Sequence, residues 1–91
     1  MSKTIVHLLL YEFWQLEKVR NSNHWAAEIT TFRVQLEDRL TSNLSNYLAQ
    51  ELPKIYQNAL LIAQKKTQLD SLPNECPFSF EQLLNKYWFP D

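Results

Sequence analysis

A chain of 91 residues is enough for one domain, and a compact fold of that size hides only about 60 to 65% of the surface that its unfolded chain exposes. Apolar residues make up 45% of the chain and charged residues 21%, which excludes an intrinsically disordered protein. Nine basic and ten acidic residues leave a net charge of -1, which excludes a chain whose overall charge attracts nucleic acid or an acidic membrane.

The single cysteine and the one long apolar run limit where the protein can reside. Cys76 has no partner for an internal disulfide, which excludes a disulfide-stapled secreted scaffold and favours the reducing cytoplasm. The apolar run over residues 5–14 is interrupted by His7 and Glu12, and it is shorter than the ~20 residues that span a bilayer. We therefore expect a buried helix in a cytoplasmic protein that makes no membrane contact.

Glycine is absent from the chain, which removes the residue that closes most tight hairpins and argues against an antiparallel sheet. The remaining turn-forming residues cluster at 21–23, 41–43 and 70–77. These clusters divide the chain into four helical segments. The sequence therefore predicts a single all-α domain over residues 1–91, a small bundle of three main helices plus a short carboxy-terminal helix.

The first predicted helix covers about residues 4–20 and is apolar on almost every side, so it must be buried on more than one side. One of its two apolar stripes contains Ile5, Leu8, Leu9 and Leu16, and the other contains Val6, Leu10 and Phe13. Because one helix cannot direct both stripes into the same small core, we expect a second copy or a protein partner to cover a surface formed by Val6, Leu10, Phe13 and Trp14. In the alternative, the third helix and the aromatic tail at residues 87–89 cover both stripes and leave a monomer.

The second predicted helix begins after a cap at Ser22 or Asn23. Apolar residues then recur with helical spacing, which predicts that four of them lie in the core: Trp25, Ile29, Phe32 and Leu36. Arg33 and Glu37 are predicted to form a solvated surface pair of small energetic value.

The third predicted helix has one apolar face, which contains Leu44, Leu48, Leu52, Ile55, Ala59, Ile62 and Ala63. Pro53 lies in its middle, and we expect a kink or a restart there because proline lacks the amide donor and clashes with the preceding turn.

The fourth helix is predicted over about residues 80–86. Ser79 is its expected N-cap, Gln82 completes a capping box, and Phe78 packs on Leu83 as a hydrophobic staple.

No catalytic, cofactor-binding or metal-binding set is evident in the sequence. His7 and His24 lack ligand spacing to Cys76 or to each other, and His7 is predicted to be a hydrogen-bonded histidine on a helix face next to Tyr11. Cys76 is expected to anchor a loop, because no base is placed to activate it. Lys65 and Lys66, with the aromatic residues 87–89, suggest stacking on single-stranded nucleic acid, but two lysines do not form a basic groove.

Short segments spread over nearly the whole chain resemble the cyanobacterial members of the bacterial "domain of unknown function 29" family. They include residues 7–11, 23–25, 51–59, 76–78 and 82–84. The resemblance implies an all-helical cytoplasmic protein from a cyanobacterium, without an established activity. Members of that family usually begin with a further acidic helical segment, so the resemblance implies a short form whose surface lies bare where that segment would pack.

Three functions of different classes are compatible with these observations. The preferred one is a non-enzymatic protein-interaction module, completed by self-association or by a protein partner, with no nucleic acid or cofactor bound. The alternative is a small regulatory protein that acts on nucleic acid or neutralises a toxin-like partner, for which binding would depend steeply on salt. An enzyme is the third, and it would require an apolar pocket with converging polar groups.

Overall fold

The computed structural model of the protein describes all of residues 1–91 and contains four helices and no strand. The helices are α1 (Ser2–Phe13), α2 (Gln15–Arg39), α3 (Ser42–Thr67) and α4 (Phe80–Leu84). Helix α1 packs against both α2 and α3, and α4 packs against α2. The predicted all-α bundle, with three main helices and a short carboxy-terminal one, is confirmed.

Helix α1 is the centre of the core. Its fully buried side chains Ile5, Leu8 and Leu9 join one apolar cluster with residues from every other helix and from the loop before α4. The members outside α1 are Ile29, Tyr56, Ala59, Leu60, Ala63, Leu72, Phe78 and Leu83. None of the four helices has a stretch that is both long and apolar enough to cross a membrane.

The first helix ends at Phe13, seven residues earlier than predicted. Trp14 leaves the helical conformation, with φ −90° and ψ 68°, and it separates α1 from α2. Its indole ring stacks on that of Trp25, with centroids 5.9 Å apart and planes 13° apart. No glycine or proline lies near this break, so the local sequence does not predict it. The break is stabilised instead by the contact of Trp14 with Trp25, eleven residues later.

The predicted boundary at residues 21–23 is wrong, and α2 continues through it. The Asn21 side-chain amide donates to the Glu17 carbonyl oxygen at 3.2 Å and to the Glu17 carboxylate at 3.1 Å, one turn back. The polar side chain therefore finds its partners inside the helix, and neither Ser22 nor Asn23 acts as a cap.

The predicted core stripe of α2 is half right. Trp25 and Ile29 are buried as expected, but Phe32 and Leu36 are only half-buried, and the third buried residue of α2 is Arg33. The Phe32 ring instead meets the edge of His7, with centroids 5.3 Å apart. The face of α2 that packs on the core therefore differs slightly from the predicted one, and it contains the polar residue Arg33 in place of Phe32.

The turn predicted at residues 41–43 is present, with Thr41 as the N-cap of α3 and its hydroxyl accepting from the Leu44 amide at 3.1 Å. Helix α3 does not restart at Pro53 but passes through it. Pro53 and Ala49 are both exposed, so the Ala49 carbonyl that lacks its usual amide donor lies where water can bind it.

The apolar face of α3 also differs from the prediction. Leu48, Ala59 and Ala63 are buried, but Ile62 is exposed, and Tyr56 and Leu60 are buried in addition. The helix therefore presents to the core a face rotated from the one that the sequence pattern favours.

The end of α3 shows how a chain without glycine terminates a helix. Gln68 adopts the left-handed conformation at φ 59°, and its backbone amide bonds the Gln64 carbonyl oxygen. Its side-chain amide donates to the Lys65 carbonyl oxygen at 2.8 Å, a second bond across the last turn. A glutamine thus occupies the position that glycine usually fills.

The capping box of α4 is confirmed. The Ser79 hydroxyl accepts from the Gln82 amide at 3.1 Å, and the Gln82 side chain accepts from the Ser79 amide at 2.9 Å. The two residues predicted to form the staple, Phe78 and Leu83, are both buried in the main cluster. Helix α4 ends at Leu84, two residues before the predicted end.

Candidate functional site

The most heavily bonded side chain in the protein is Arg33, which is only 2% exposed. Its Nε donates to the Leu83 carbonyl oxygen at 2.9 Å, one terminal nitrogen to that of Gln82 at 2.8 Å, and the other to that of Trp88 at 2.6 Å. The guanidinium also lies 5.5 Å from the centroid of the Phe89 ring. One side chain from α2 therefore binds α4 and the residues that follow it.

We call Arg33 and its three acceptors, the carbonyl oxygens of Gln82, Leu83 and Trp88, the arginine clamp. Its position at the end of a helix has a physical reason. The last carbonyls of a helix have no amide partner within it and carry partial negative charge, so a cation there is favoured. Gln82 and Leu83 lie near the end of the five-residue helix α4, and the planar guanidinium bonds several carbonyl oxygens at once. Outside the clamp, Lys86 pairs with Glu37 at 3.2 Å.

The predicted surface pair of Arg33 with Glu37 is therefore wrong. Arg33 turns inward and Glu37 pairs with Lys86 instead. A signal was present in the sequence, because Arg33 follows Trp25 and Ile29 at four-residue intervals and so shares their buried face. The preference of charged side chains for solvent outweighed that spacing in the prediction.

Burial lowers the pKa of Arg33 to about 10, because the surrounding protein disfavours its charged form. The guanidinium still carries its charge at neutral pH, and it bonds neutral carbonyl oxygens rather than a carboxylate. Such an arrangement holds backbone in place and specifies its position through directed bonds.

The two histidines lie on different helices, and the cysteine lies in a loop. His7 Nδ1 donates to the Lys3 carbonyl oxygen at 2.9 Å, which confirms the predicted hydrogen-bonded histidine on a helix face. His24 is exposed on α2. The structure contains no group of three His, Cys, Asp or Glu side chains close enough to share a metal ion.

Cys76 lies in the loop between α3 and α4, beside a groove of about 450 Å³ that Leu52, Tyr56 and Phe78 also line. Its Sγ donates to the Phe78 carbonyl oxygen at 3.3 Å, and burial raises the pKa of the thiol. The predicted loop anchor is confirmed, since the thiol bonds the backbone just before α4.

The surface predicted from the first helix is not available as a whole. Val6 and Leu10 are buried within the single chain, and both α2 and α3 pack against α1. Phe13 and Trp14 are half-buried at the junction of α1 and α2. The first two residues therefore belong to the core, and only the last two reach solvent.

Two apolar side chains next to that junction are almost fully exposed. Leu16 is 92% exposed and Val19 is 96% exposed, three residues apart on the first turns of α2. No residue from 15 to 24 is buried. Phe13, Trp14, Leu16 and Val19 together form what we call the junction surface. Phe13 and Trp14 were predicted to lie on an exposed surface, but the assignment of Leu16 to a buried stripe of the first helix is wrong, because that helix ends at Phe13.

The fold and these sites define a small all-α bundle whose carboxy-terminal helix is clamped by an internal arginine. The family model "Domain of unknown function DUF29" matches residues 1–89, and the chain belongs to that family. No curated protein and no solved structure matches it. The match spans nearly the whole chain, as the resemblance of its short segments implied.

Proposed function

We propose that the chain is a non-enzymatic protein-interaction module that binds a protein partner through the junction surface. The observation that carries the proposal is the exposure of Leu16 and Val19 on adjacent turns of one helix. Side chains three residues apart lie on the same side of a helix, and contiguous exposed apolar surface is typical of interaction sites. The half-buried Phe13 and Trp14 extend this patch with aromatic surface, which is enriched at protein interfaces.

The charges around the junction surface favour a protein as the ligand. Glu17, Lys18 and Arg20 lie within the same turns and supply both signs of charge. The Lys18 ammonium lies 4.7 Å from the centroid of the Tyr11 ring, which holds it beside the patch. An apolar centre with a polar rim of mixed charge is the usual anatomy of a protein interface, whereas nucleic acid requires a basic surface.

The proposal includes a cyanobacterial source and a cytoplasmic location. A cyanobacterial source rests on the resembling segments, and a cytoplasmic location rests on the single cysteine and the near-neutral charge.

The test is affinity capture from a lysate of the source cells with the chain and with a Leu16→Ser/Val19→Ser variant as bait. A variant with Leu61→Ser, on α3, is the matched control because it also removes an exposed leucine. We expect one protein to be captured by the chain and by the control, and lost with the double variant. Equal capture by all three baits would contradict the proposal.

A further inference from the structure

A hollow of about 240 Å³ lies where the first turn of α1 meets the end of α2. From α2 it is lined by four side chains spaced three and four residues apart, which places them on one side of that helix. They are Phe32, Gln35, Leu36 and Arg39. Residues 1–4 line the rest of the hollow. It is distinct from the junction surface, which lies at the other end of α1.

The first turn of α1 has three backbone amides without an acceptor. The first hydrogen bond of the helix joins the Ile5 amide to the Met1 carbonyl oxygen at 3.1 Å. The amides of Ser2, Lys3 and Thr4 come before it and have no carbonyl partner within the helix. No side chain caps them, and the turn contains no acidic residue. Such amides carry partial positive charge, so they favour an anion.

The Thr4 hydroxyl is a further donor at this hollow. Thr4 is only 2% exposed, and its hydroxyl forms no hydrogen bond within the chain. Every fully enclosed polar side-chain atom of the protein does have a partner, so the Thr4 hydroxyl must keep a narrow opening. The open space that Thr4 borders is the hollow. The hydroxyl therefore gains a hydrogen bond from a molecule that enters there.

Two basic side chains line the same hollow, and no carboxylate does. Lys3 and Arg39 are both exposed, and neither forms an ion pair, because the single ion pair of the protein joins Lys86 to Glu37. The Lys3 ammonium lies 5.8 Å from the centroid of the Phe32 ring, which also lines the hollow. Two uncompensated positive charges thus lie next to the free amides.

We propose that this hollow binds a phosphate group, either as free phosphate or as a small organic phosphate monoester. The amides of residues 2–4 and the Thr4 hydroxyl donate to its oxygens, and Lys3 and Arg39 neutralise its charge. These donors belong to two helices, so a tetrahedral anion, with oxygens in several directions, accepts from more of them than a planar carboxylate. Phe32 and Leu36 supply apolar surface for the organic part of a monoester.

The proposal does not rest on the interaction function proposed above, because it involves different residues. Isothermal titration calorimetry of the purified chain tests it, with inorganic phosphate, phenyl phosphate and acetate as separate probes. We expect both phosphates to bind and acetate to bind at least about tenfold more weakly. Tighter binding of phenyl phosphate assigns the site to an organic monoester, and equal or weaker binding assigns it to free phosphate. Absence of phosphate binding at millimolar concentration, or equal binding of acetate, would overturn the proposal.

Variants on the two helices locate the site. Arg39→Gln should weaken phosphate binding about tenfold, and Thr4→Val, which removes only the hydroxyl, should weaken it about fivefold. Thr4→Ser keeps the hydroxyl and should bind nearly as well as the wild type.

Arg20→Gln is the matched control, because it removes an exposed arginine near the other end of α2, and it should leave binding unchanged. Circular dichroism checks the fold of each variant. Arg39 is exposed, so its substitution gives a valid test even where a change at the buried Thr4 disturbs the fold. Binding that is unchanged in Arg39→Gln, or that is lost in Arg20→Gln, would overturn the assignment to this hollow.

Discussion

The carboxy-terminal strap, residues 79–91, and the start of α2, residues 15–24, both carry large apolar side chains at the margin of the same core, yet only the strap is docked on it. In the strap, Leu83 and Pro90 are buried, and the Phe89 ring lies 5.5 Å from that of Tyr11. In the start of α2, Leu16 and Val19 point into solvent. Apolar composition alone therefore does not decide which segment the core accepts.

The difference lies in the backbone. The strap has unpaired carbonyl oxygens at the end of α4 and beyond it, and burying them without partners would cost about 1 to 3 kcal/mol each. Arg33 supplies three donors for them. At the start of α2 the side-chain hydrogen bonds are local, from Gln15 to Glu12 and from Asn21 to Glu17, so no buried donor or acceptor ties this segment to the core.

The largest expected effect comes from removing the clamp. Arg33→Ala should lower the free energy of unfolding by about 3 to 5 kcal/mol, because three carbonyl oxygens lose their charged donor and a cavity remains. Urea unfolding followed by circular dichroism measures it. Arg33→Lys should recover only part of the loss, since an ammonium cannot match the planar fork. A loss below about 1 kcal/mol for Arg33→Ala would show that the strap docks without the clamp.

Two neighbouring positions on α2 sharpen the distinction between its buried and half-buried sides. Ile29→Ala should cost about 3 kcal/mol, because the side chain is fully buried. Phe32→Ala should cost about 1 to 2 kcal/mol, less than its full burial would imply, because its ring covers His7 at the surface. Thermal and urea unfolding of both variants give the comparison, and the reverse order would place Phe32 in the core after all.

The Tyr56 hydroxyl bonds the loop that leads into the strap, by donating to the Pro73 carbonyl oxygen. Burial, and secondarily the nearby Cys76, raises the pKa of Tyr56 to about 12. Tyr56→Phe should cost about 1 kcal/mol at neutral pH by removing the bond to Pro73. Because the folded pKa lies above the unfolded value near 10, the hydroxyl's contribution is full below pH 10 and is lost as the pH rises from about 10 to 12.

The stability difference between wild type and Tyr56→Phe should therefore shrink across that alkaline range. Arg33 titrates in the same window in both proteins, so its contribution cancels in the difference. Urea unfolding at several pH values measures it. A difference that stays constant up to pH 12 would mean that the Tyr56 hydroxyl is not held neutral by the fold.

The capping box sets how firmly α4 begins. Ser79→Ala should cost about 1 kcal/mol, because the Gln82 amide loses its acceptor at the first turn. Ser79→Asp is the matched control and should keep most of the stability, since aspartate is also a good N-cap. Denaturation midpoints of the three proteins decide the point, and identical midpoints would contradict a role for the cap.

The smallest effect is expected at the start of α2. Leu16→Ser/Val19→Ser should change the free energy of unfolding by less than about 0.5 kcal/mol per site, because both side chains are in solvent already. Thermal unfolding of the isolated chain measures it. A loss as large as that of Ile29→Ala would show that these residues pack against the bundle, and would remove the contrast with the strap.

The sequence by itself determined the fold class, the turn at Thr41 and the capping box at Ser79. These features depend on local rules: the absence of glycine disfavours hairpins, and a cap bonds an amide three residues away. Local signals of this kind act within one turn of chain, so they can be deduced without knowledge of the rest of the structure.

Only the tertiary structure decided the break at Trp14, the burial of Arg33 and the burial of Val6 and Leu10. Each depends on a partner distant in sequence: Trp25 for the indole, the carbonyls of residues 82 to 88 for the guanidinium, and the packing of α2 and α3 for the two aliphatic residues. The number of sides on which α1 is covered is set by how the later helices pack around it. The periodicity of α1 alone cannot predict how many of its sides are covered, because a sequence pattern indicates which faces are apolar but not which elements pack against them.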